Sequence, residues 1–309
     1  MKKPTRAQTR VLQALHAHWT ELGTLFTEAN QQMETTKRAP SPQWFEDYHQ
    51  RAVLCDALAS AAQAAAVPRE WIAQVHDGDR GVAWSEIELV DPAPPDWDRV
   101  LGDLTTQAQQ LCEWTALDSA RRQLGAVPAQ AVEAFDRNLA ALRARLTGVV
   151  NLLDLNATDG NGLWGSTSDW VEAGYQLLAH HPAEVVLQRW KAVARSDAEP
   201  LALQAKALAQ ARIKTHTSVA LPDHESLTAR LGVLALAQPM LFHHPAAAAG
   251  TDIGAAVEAA ALDPSAADPD TSSSRSVFSH AEQVQPVAYE ADLAVAAPEF
   301  VAPASELDL

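Results

Sequence analysis

The chain has 309 residues, rich in Ala and poor in Gly, with nine Trp but few Phe and Tyr. Its formal net charge of −16 opposes non-specific nucleic-acid binding, which needs local positive charge against phosphate. Its longest apolar stretch, around 231–237, is far too short to span a bilayer.

Leu12, Leu15, Trp19, Leu22, Phe26, Ala29 and Met33 follow one another in alternating steps of three and four residues. Phe45, Tyr48, Ala52, Cys55, Ala59, Ala62 and Ala66 repeat those steps. Between the two runs lies Ala39-Pro40-Ser41-Pro42, which no continuous helix crosses. The pattern predicts an antiparallel helical hairpin with a heptad seam. After Pro68 a short helix is expected over 69–76, then a turn at His76–Gly81. Val82–Val90 reads as one extended segment, too isolated for a sheet. Asp91-Pro92-Ala93-Pro94-Pro95 is a linker that closes a first region, 1–91.

A second hairpin is predicted over 95–155. Its first helix runs from about Asp96 to Leu124, with Trp97, Leu101, Leu104, Leu111 and Trp114 on one side. Gly125 suits the C′ position, and Pro128 is placed just inside the next helix. Val132, Phe135, Leu139, Leu142, Leu146 and Val149 form the stripe of that helix. Asp154–Gly165 reads as a Gly/Asn/Asp-rich loop. Thr167-Ser168-Asp169 supplies N-cap residues for a helix through Leu178. Shorter helices are expected over 183–193, 198–213 and 225–236, within a region 166–245.

Beyond Pro245 the periodicity stops. Residues 246–309 hold eleven acidic residues against Arg275 alone, so this stretch carries −10 of the net charge. It has few large apolar residues and cannot bury enough surface to offset chain entropy. The expectation is an all-α protein, helical hairpins packed as a bundle, with a disordered acidic C-terminal tail.

Cys55 and Cys112 are the two cysteines. Cys55 lies on the apolar stripe and reads as a small buried hydrophobe. Lys2-Lys3 leads into polar sequence rather than an apolar segment, so no signal peptide is read and a cytoplasmic location is expected.

Ala62–Val75 carries the strongest local signature. A helix-turn-helix unit wants a small residue at its fifth position, a tight-turn residue at its ninth, and apolar residues at ten, fifteen and eighteen. Ala62, Ala66, Val67, Ile72 and Val75 fill those positions, with Ala where Gly is usual. Arg69, Gln74 and Arg80 would then face DNA. A plain helix–Pro–helix corner explains the same residues, and Glu70, Asp77 and Asp79 weaken the DNA case. Arg121–Pro128 offers Gly125 at the ninth position, but Ala131 stands where a larger apolar residue is wanted, so bundle packing is preferred.

Asp154, Asn156, Thr158 and Gly160 glance at a calcium loop. Asp159 at its sixth position and Gly165 at its twelfth defeat the match. Asn156-Ala157-Thr158 is formally a glycosylation sequon, without weight in the absence of a secretory route. His180-His181-Pro182 and His243-His244-Pro245 read as helix stops rather than metal ligands. His76-Asp77 is one isolated His-Asp dipeptide, and no nucleotide, hydrolase or protease motif accompanies it. In the tail, Tyr289–Leu293, Pro298–Val301 and Glu306–Leu309 alternate acidic and apolar residues, as docking peptides do. A helical-hairpin type VII secretion substrate is matched in shape alone: the Trp-x-Gly turn is missing, and Leu293 stands where an acid would follow Tyr289.

Ala66-Val-Pro-Arg-Glu-Trp-Ile-Ala-Gln-Val75 followed by Gly81-Val-Ala-Trp84 resembles a segment of uncharacterised proteins encoded by actinobacteria, often on plasmids or phages. The resemblance spans about twenty residues and implies no activity.

Three functions follow in order. The first is a non-enzymatic, cytoplasmic protein acting by protein–protein contact. Its heptad faces pack internally or form a homo-oligomer, and its tail docks on a partner through Tyr289, Leu293, Phe300, Leu307 and Leu309. The second is a DNA-associated regulator using Arg69, Gln74 and Arg80. The third is an enzyme whose site is assembled from distant residues. No catalytic residue, cofactor, metal or membrane contact is assigned.

Overall fold

A computed structural model describes residues 3–78, 82–121 and 127–237, with side chains to Leu234. Among these residues the protein is all-α. The helices are α1 (Arg6–Thr36), α2 (Pro42–Ala64), α3 (Arg69–Asp77), α4 (Trp97–Arg121), α5 (Ala129–Leu152), α6 (Ala157–Trp164), α7 (Thr167–Ala179), α8 (Ala183–Arg195), α9 (Glu199–Gln210) and α10 (His224–Ala237). The predicted tail, 246–309, lies outside the described residues.

The N-terminal hairpin forms as its punctuation dictates. Thr5 and Gln8 make a reciprocal capping box at the start of α1, and Lys37 ends it in the left-handed conformation, φ 57°. Ser41 caps α2 by accepting from the Trp44 amide, with Pro42 at the first helical position.

At the other end of α2 the chain turns through Ala66, φ 55°. The Val67 amide reaches the Ala62 carbonyl at 3.0 Å and the Ala66 amide that of Gln63 at 3.0 Å, the paired bonds of a left-handed helix stop. Residues 82–90 form no strand. They contain a single 3₁₀ turn at Trp84–Glu86 and are strapped to α3 through side chains. The Trp71 indole donates to the Val90 carbonyl at 2.7 Å. The Gln74 amide donates to the Glu88 carbonyl and accepts from the Val90 amide at 2.9 Å.

Helix α5 is the centre. Phe135, Leu139, Leu142, Leu146 and Val149 are buried as its stripe predicts, but so are Asn138, Arg145, Thr147 and Gly148 on its other sides. It packs against α4, α8, α9 and α2. Short α9 lies against both α2 and α5, where Ala205 and Ala207 let backbones approach. One apolar core therefore draws on the first predicted region (Leu12, Leu58, Trp71), the second (Leu117, Phe135) and the third (Trp190, Leu208).

The segment 154–165, expected as a loop, contains α6. Asn156 accepts from the Thr158 and Asp159 amides at 2.8 and 3.1 Å, and the Asp159 carboxylate returns to the Asn156 amide at 3.0 Å. The residues that resemble calcium ligands are thus a capping box. The helix is held from outside as well, since the Trp164 indole donates to the Ala220 carbonyl at 2.8 Å. For α7 the cap is Ser166 rather than the three residues after it, again boxed with Asp169. Pro128 caps α5 from just outside the helix. The predicted helix end at Gly125 lies outside the described residues, as does His243-His244-Pro245.

Candidate functional site

The hairpin divides into two halves. Its base belongs to the common core through Val11, Leu12, Leu15 and Leu22 of α1 and Cys55, Leu58, Ala61 and Ala62 of α2. Between Leu22 and Tyr48 no residue joins that core, although Ala29 is buried. The outer half is therefore a two-helix arm.

The arm carries a concentration of aromatic residues. Trp44 stacks on Tyr48 with ring centroids 5.2 Å apart, and meets Phe45 edge-on at 5.1 Å. Phe45 is 52% exposed and Phe26 40%. Both lie on the predicted heptad seam and were expected to be covered. They are not, because two helices alone cover only part of each other's apolar face, and among the described residues no third helix joins them there in the common core. Trp97 at the start of α4 is also exposed, by itself, and the other exposed large apolar residues, such as Val219 and Val233, are valines scattered as on any protein surface. Around the aromatic patch the charges are ordered. Arg51 bonds Asp47 at 3.0 Å and pairs with Glu21 of α1, tying the helices together at the base of the arm. The hydrogen bond that Arg51 donates to Asp47, with the nearby Glu21 charge, raises the Arg51 pKa. Lys37 and Arg38 occupy the tip.

The α2–α3 corner has the geometry that its residue pattern anticipates. Ala62, Val67, Ile72 and Val75 are buried, and Ala66 supplies the left-handed turn. Arg69 is exposed at the start of α3. The Gln74 side chain is occupied at both ends by the 82–90 strap. Arg80 lies outside the described residues, and so do Tyr289, Leu293, Phe300, Leu307 and Leu309.

The paired histidines behave as helix stops. His180 and His181 set their Nδ1 atoms 2.7 and 2.8 Å from the Gln176 and Leu177 carbonyls. Both cysteines are buried and unbridged. Among the described residues no three His, Cys, Asp or Glu converge as a metal site, and no helix is long and apolar enough to cross a membrane.

Two polar features escape sequence inspection. A cleft of about 420 Å³ between α2 and α9 sets Asp56, Asp197 and Glu199 around an apolar floor of Val53, Pro200 and Leu203. Desolvation raises the Asp56 pKa, with His76 pulling the other way. Elsewhere, half-buried His224 at the start of α10 feels Arg143 of α5 and Asp118 of α4. These residues lie tens to more than a hundred positions apart, so no spacing signals them. Beside His224 the Thr228 hydroxyl lies 3.5 Å from Nδ1, and in the cleft Ser60 shares the lining with Asp56 and no histidine. Compared with protein-family models, curated proteins and solved structures, the chain matches none.

Proposed function

We propose that this chain is a non-enzymatic, cytoplasmic interaction protein that presents the α1–α2 arm to a protein partner, with the acidic tail as a second docking element. The observation that supports this is Phe26 and Phe45 standing exposed beside the Trp44–Tyr48 stack, outside the common core. Aromatic side chains bury large area with little rotamer entropy, and clustered exposed ones are the usual anchors of protein interfaces. The arm is also a stiff presenter, its helices capped at the near end and tied by Arg51 at the base. A host protein captured by the full chain should be lost with the Phe26→Ser/Phe45→Ser variant at unchanged helicity and melting temperature. Identical capture by both would overturn the proposal. Loss on truncation after Pro245 assigns the tail its part.

The α2–α3 corner supports a second reading, a DNA-associated regulator. Ala66 adopts the tight-turn conformation at the ninth position of the motif, and Arg69 is exposed. With Gln74 held by the strap, base contact falls to Arg69 and Arg80. A salt-sensitive electrophoretic shift abolished by Arg69→Glu with Arg80→Glu supports this reading, and the absence of any shift removes it.

A further inference from the structure

We propose that the surface of α3 beneath the 82–90 strap is a docking seat for another segment of this chain, Glu299–Ala304, which exchanges with the strap. Two observations support the exchange: what the seat recognises, and a repeat in the sequence.

The seat recognises extended backbone. Trp71 and Gln74, one turn apart on α3, make three hydrogen bonds to the strap, and all three end on main-chain atoms of Glu88 and Val90. Those two residues flank Leu89, which is half-buried and packed against the common core. Glu88 itself is exposed. Among the described residues no backbone–backbone hydrogen bond joins the strap to a helix of the bundle. The seat therefore asks for a short extended segment with one large apolar side chain between two residues read through their main chain.

The strap sequence recurs in the chain. Glu88-Leu89-Val90-Asp91-Pro92-Ala93 and Glu299-Phe300-Val301-Ala302-Pro303-Ala304 both read Glu, large apolar, Val, any residue, Pro, Ala. Each shared feature suits α3. Phe300 supplies the central apolar side chain in place of Leu89. The main chain of Glu299 and Val301 offers the carbonyls and the amide that Glu88 and Val90 offer. A β-branched Val, followed by a residue held extended by the next Pro, favours the backbone conformation that the seat accepts. Glu299, like Glu88, keeps its charge in water. The strap is joined to α3 by a short connection, which gives it a high effective concentration. It is therefore the major occupant, and Glu299–Ala304 takes the seat in a minor state that frees the strap.

Photo-crosslinking on the full chain tests the exchange. After Phe300→benzoylphenylalanine, irradiation and trypsin digestion, residue 300 should be linked to the peptide 70–80, which carries Trp71 and Gln74. Leu89→Ser removes the strap's apolar anchor and should raise that yield on the order of 5-fold. Val301→Pro removes the amide equivalent to the one Val90 donates to Gln74, and should lower the yield on the order of 5-fold. Links confined to other parts of the chain overturn the proposal. So does a yield unmoved by Val301→Pro, or unmoved by Leu89→Ser in a chain of unchanged circular dichroism. If Leu89→Ser fails to fold, Val301→Pro decides alone. Capture of a host protein by the arm is a separate property: it stands if the crosslink fails, and the crosslink stands if Phe26→Ser/Phe45→Ser leaves capture unchanged.

Discussion

The rings of Phe135 on α5 and Trp190 on α8 stack face to face, centroids 4.9 Å apart and planes within 10°, both fully buried. The stack joins a helix of the second predicted region to one of the third, at the centre of the core. Replacing Trp190 with Ala should cost about 3–5 kcal/mol, because the neighbours cannot collapse into the space an indole leaves. The Trp190 indole nitrogen is buried without a hydrogen-bond partner. Trp190→Phe therefore deletes an unpaired donor together with some volume, and should cost less than half as much. Urea denaturation compares the two, and equal losses would contradict this account.

Asn138, a polar residue on the predicted apolar helix, is buried for a stated reason. Its amide nitrogen lies 2.7 Å from both the Val193 and the Ser196 carbonyls, closing the C-terminus of α8. Asn138→Ala should cost about 2–3 kcal/mol, since it leaves buried carbonyls without a donor. Asn138→Asp should cost more, because a carboxylate meets those oxygens as a like dipole. Melting temperatures of the two variants check the order.

Gly160 lies beneath the Ala220 carbonyl, so that any β-carbon there would overlap its oxygen. Gly160→Ala should destabilise by about 1–3 kcal/mol by pushing α6 off that segment. The neighbouring Gly162 faces open space, and Gly162→Ala should be neutral or slightly stabilising through helix propensity. Similar effects of the two substitutions would contradict the close approach at Gly160.

Burial, and then the Arg143 cation, hold the His224 imidazole below its ordinary pKa, against the opposing pull of Asp118, Asp223 and Glu225. The unfolded chain therefore takes up this proton first. The contribution of His224 to stability is complete above pH of about 6.5 and is lost progressively as pH falls below it. His224→Gln should flatten the dependence of the urea midpoint between pH 7.5 and 5. A slope as steep as that of the unsubstituted protein would refute the assignment.

Desolvation raises the Cys55 thiol to about 12 and the Cys112 thiol to about 11, each with a neighbouring carboxylate adding to the shift. The thiolate is the reactive form. Neither cysteine should react with a thiol reagent at pH 8 in the folded protein, and both should react once it is denatured. Fast labelling of either in the native state would show that its burial is not maintained.

Much of the helical order was legible along the chain. Apolar steps of three and four residues mark α1, α2, α4 and α5 because a helix brings those positions to one face, and Pro40, Pro42 and Pro128 mark where helices cannot continue. The buried positions of the α2–α3 corner were equally readable, since Ala62, Val67, Ile72 and Val75 sit where a tight corner needs small or apolar side chains. Helix α6 was missed because Asn, Asp and Gly are poor helix formers by propensity. Its reciprocal cap and the Trp164–Ala220 bond override that preference, and the bond exists only in the folded chain.

The chain by itself thus determined which residues share a helix face and where the helices stop, since both are local properties of backbone geometry. What covers each face was decided by the tertiary structure. Phe26, Phe45 and Leu58 follow the same seven-residue rhythm or lie beside it, yet Leu58 is fully buried and the two phenylalanines are exposed. The physical reason is distance along the hairpin. α9 and α5 reach the base of α2 and stop short of the arm, and no periodicity within one helix records where another helix ends.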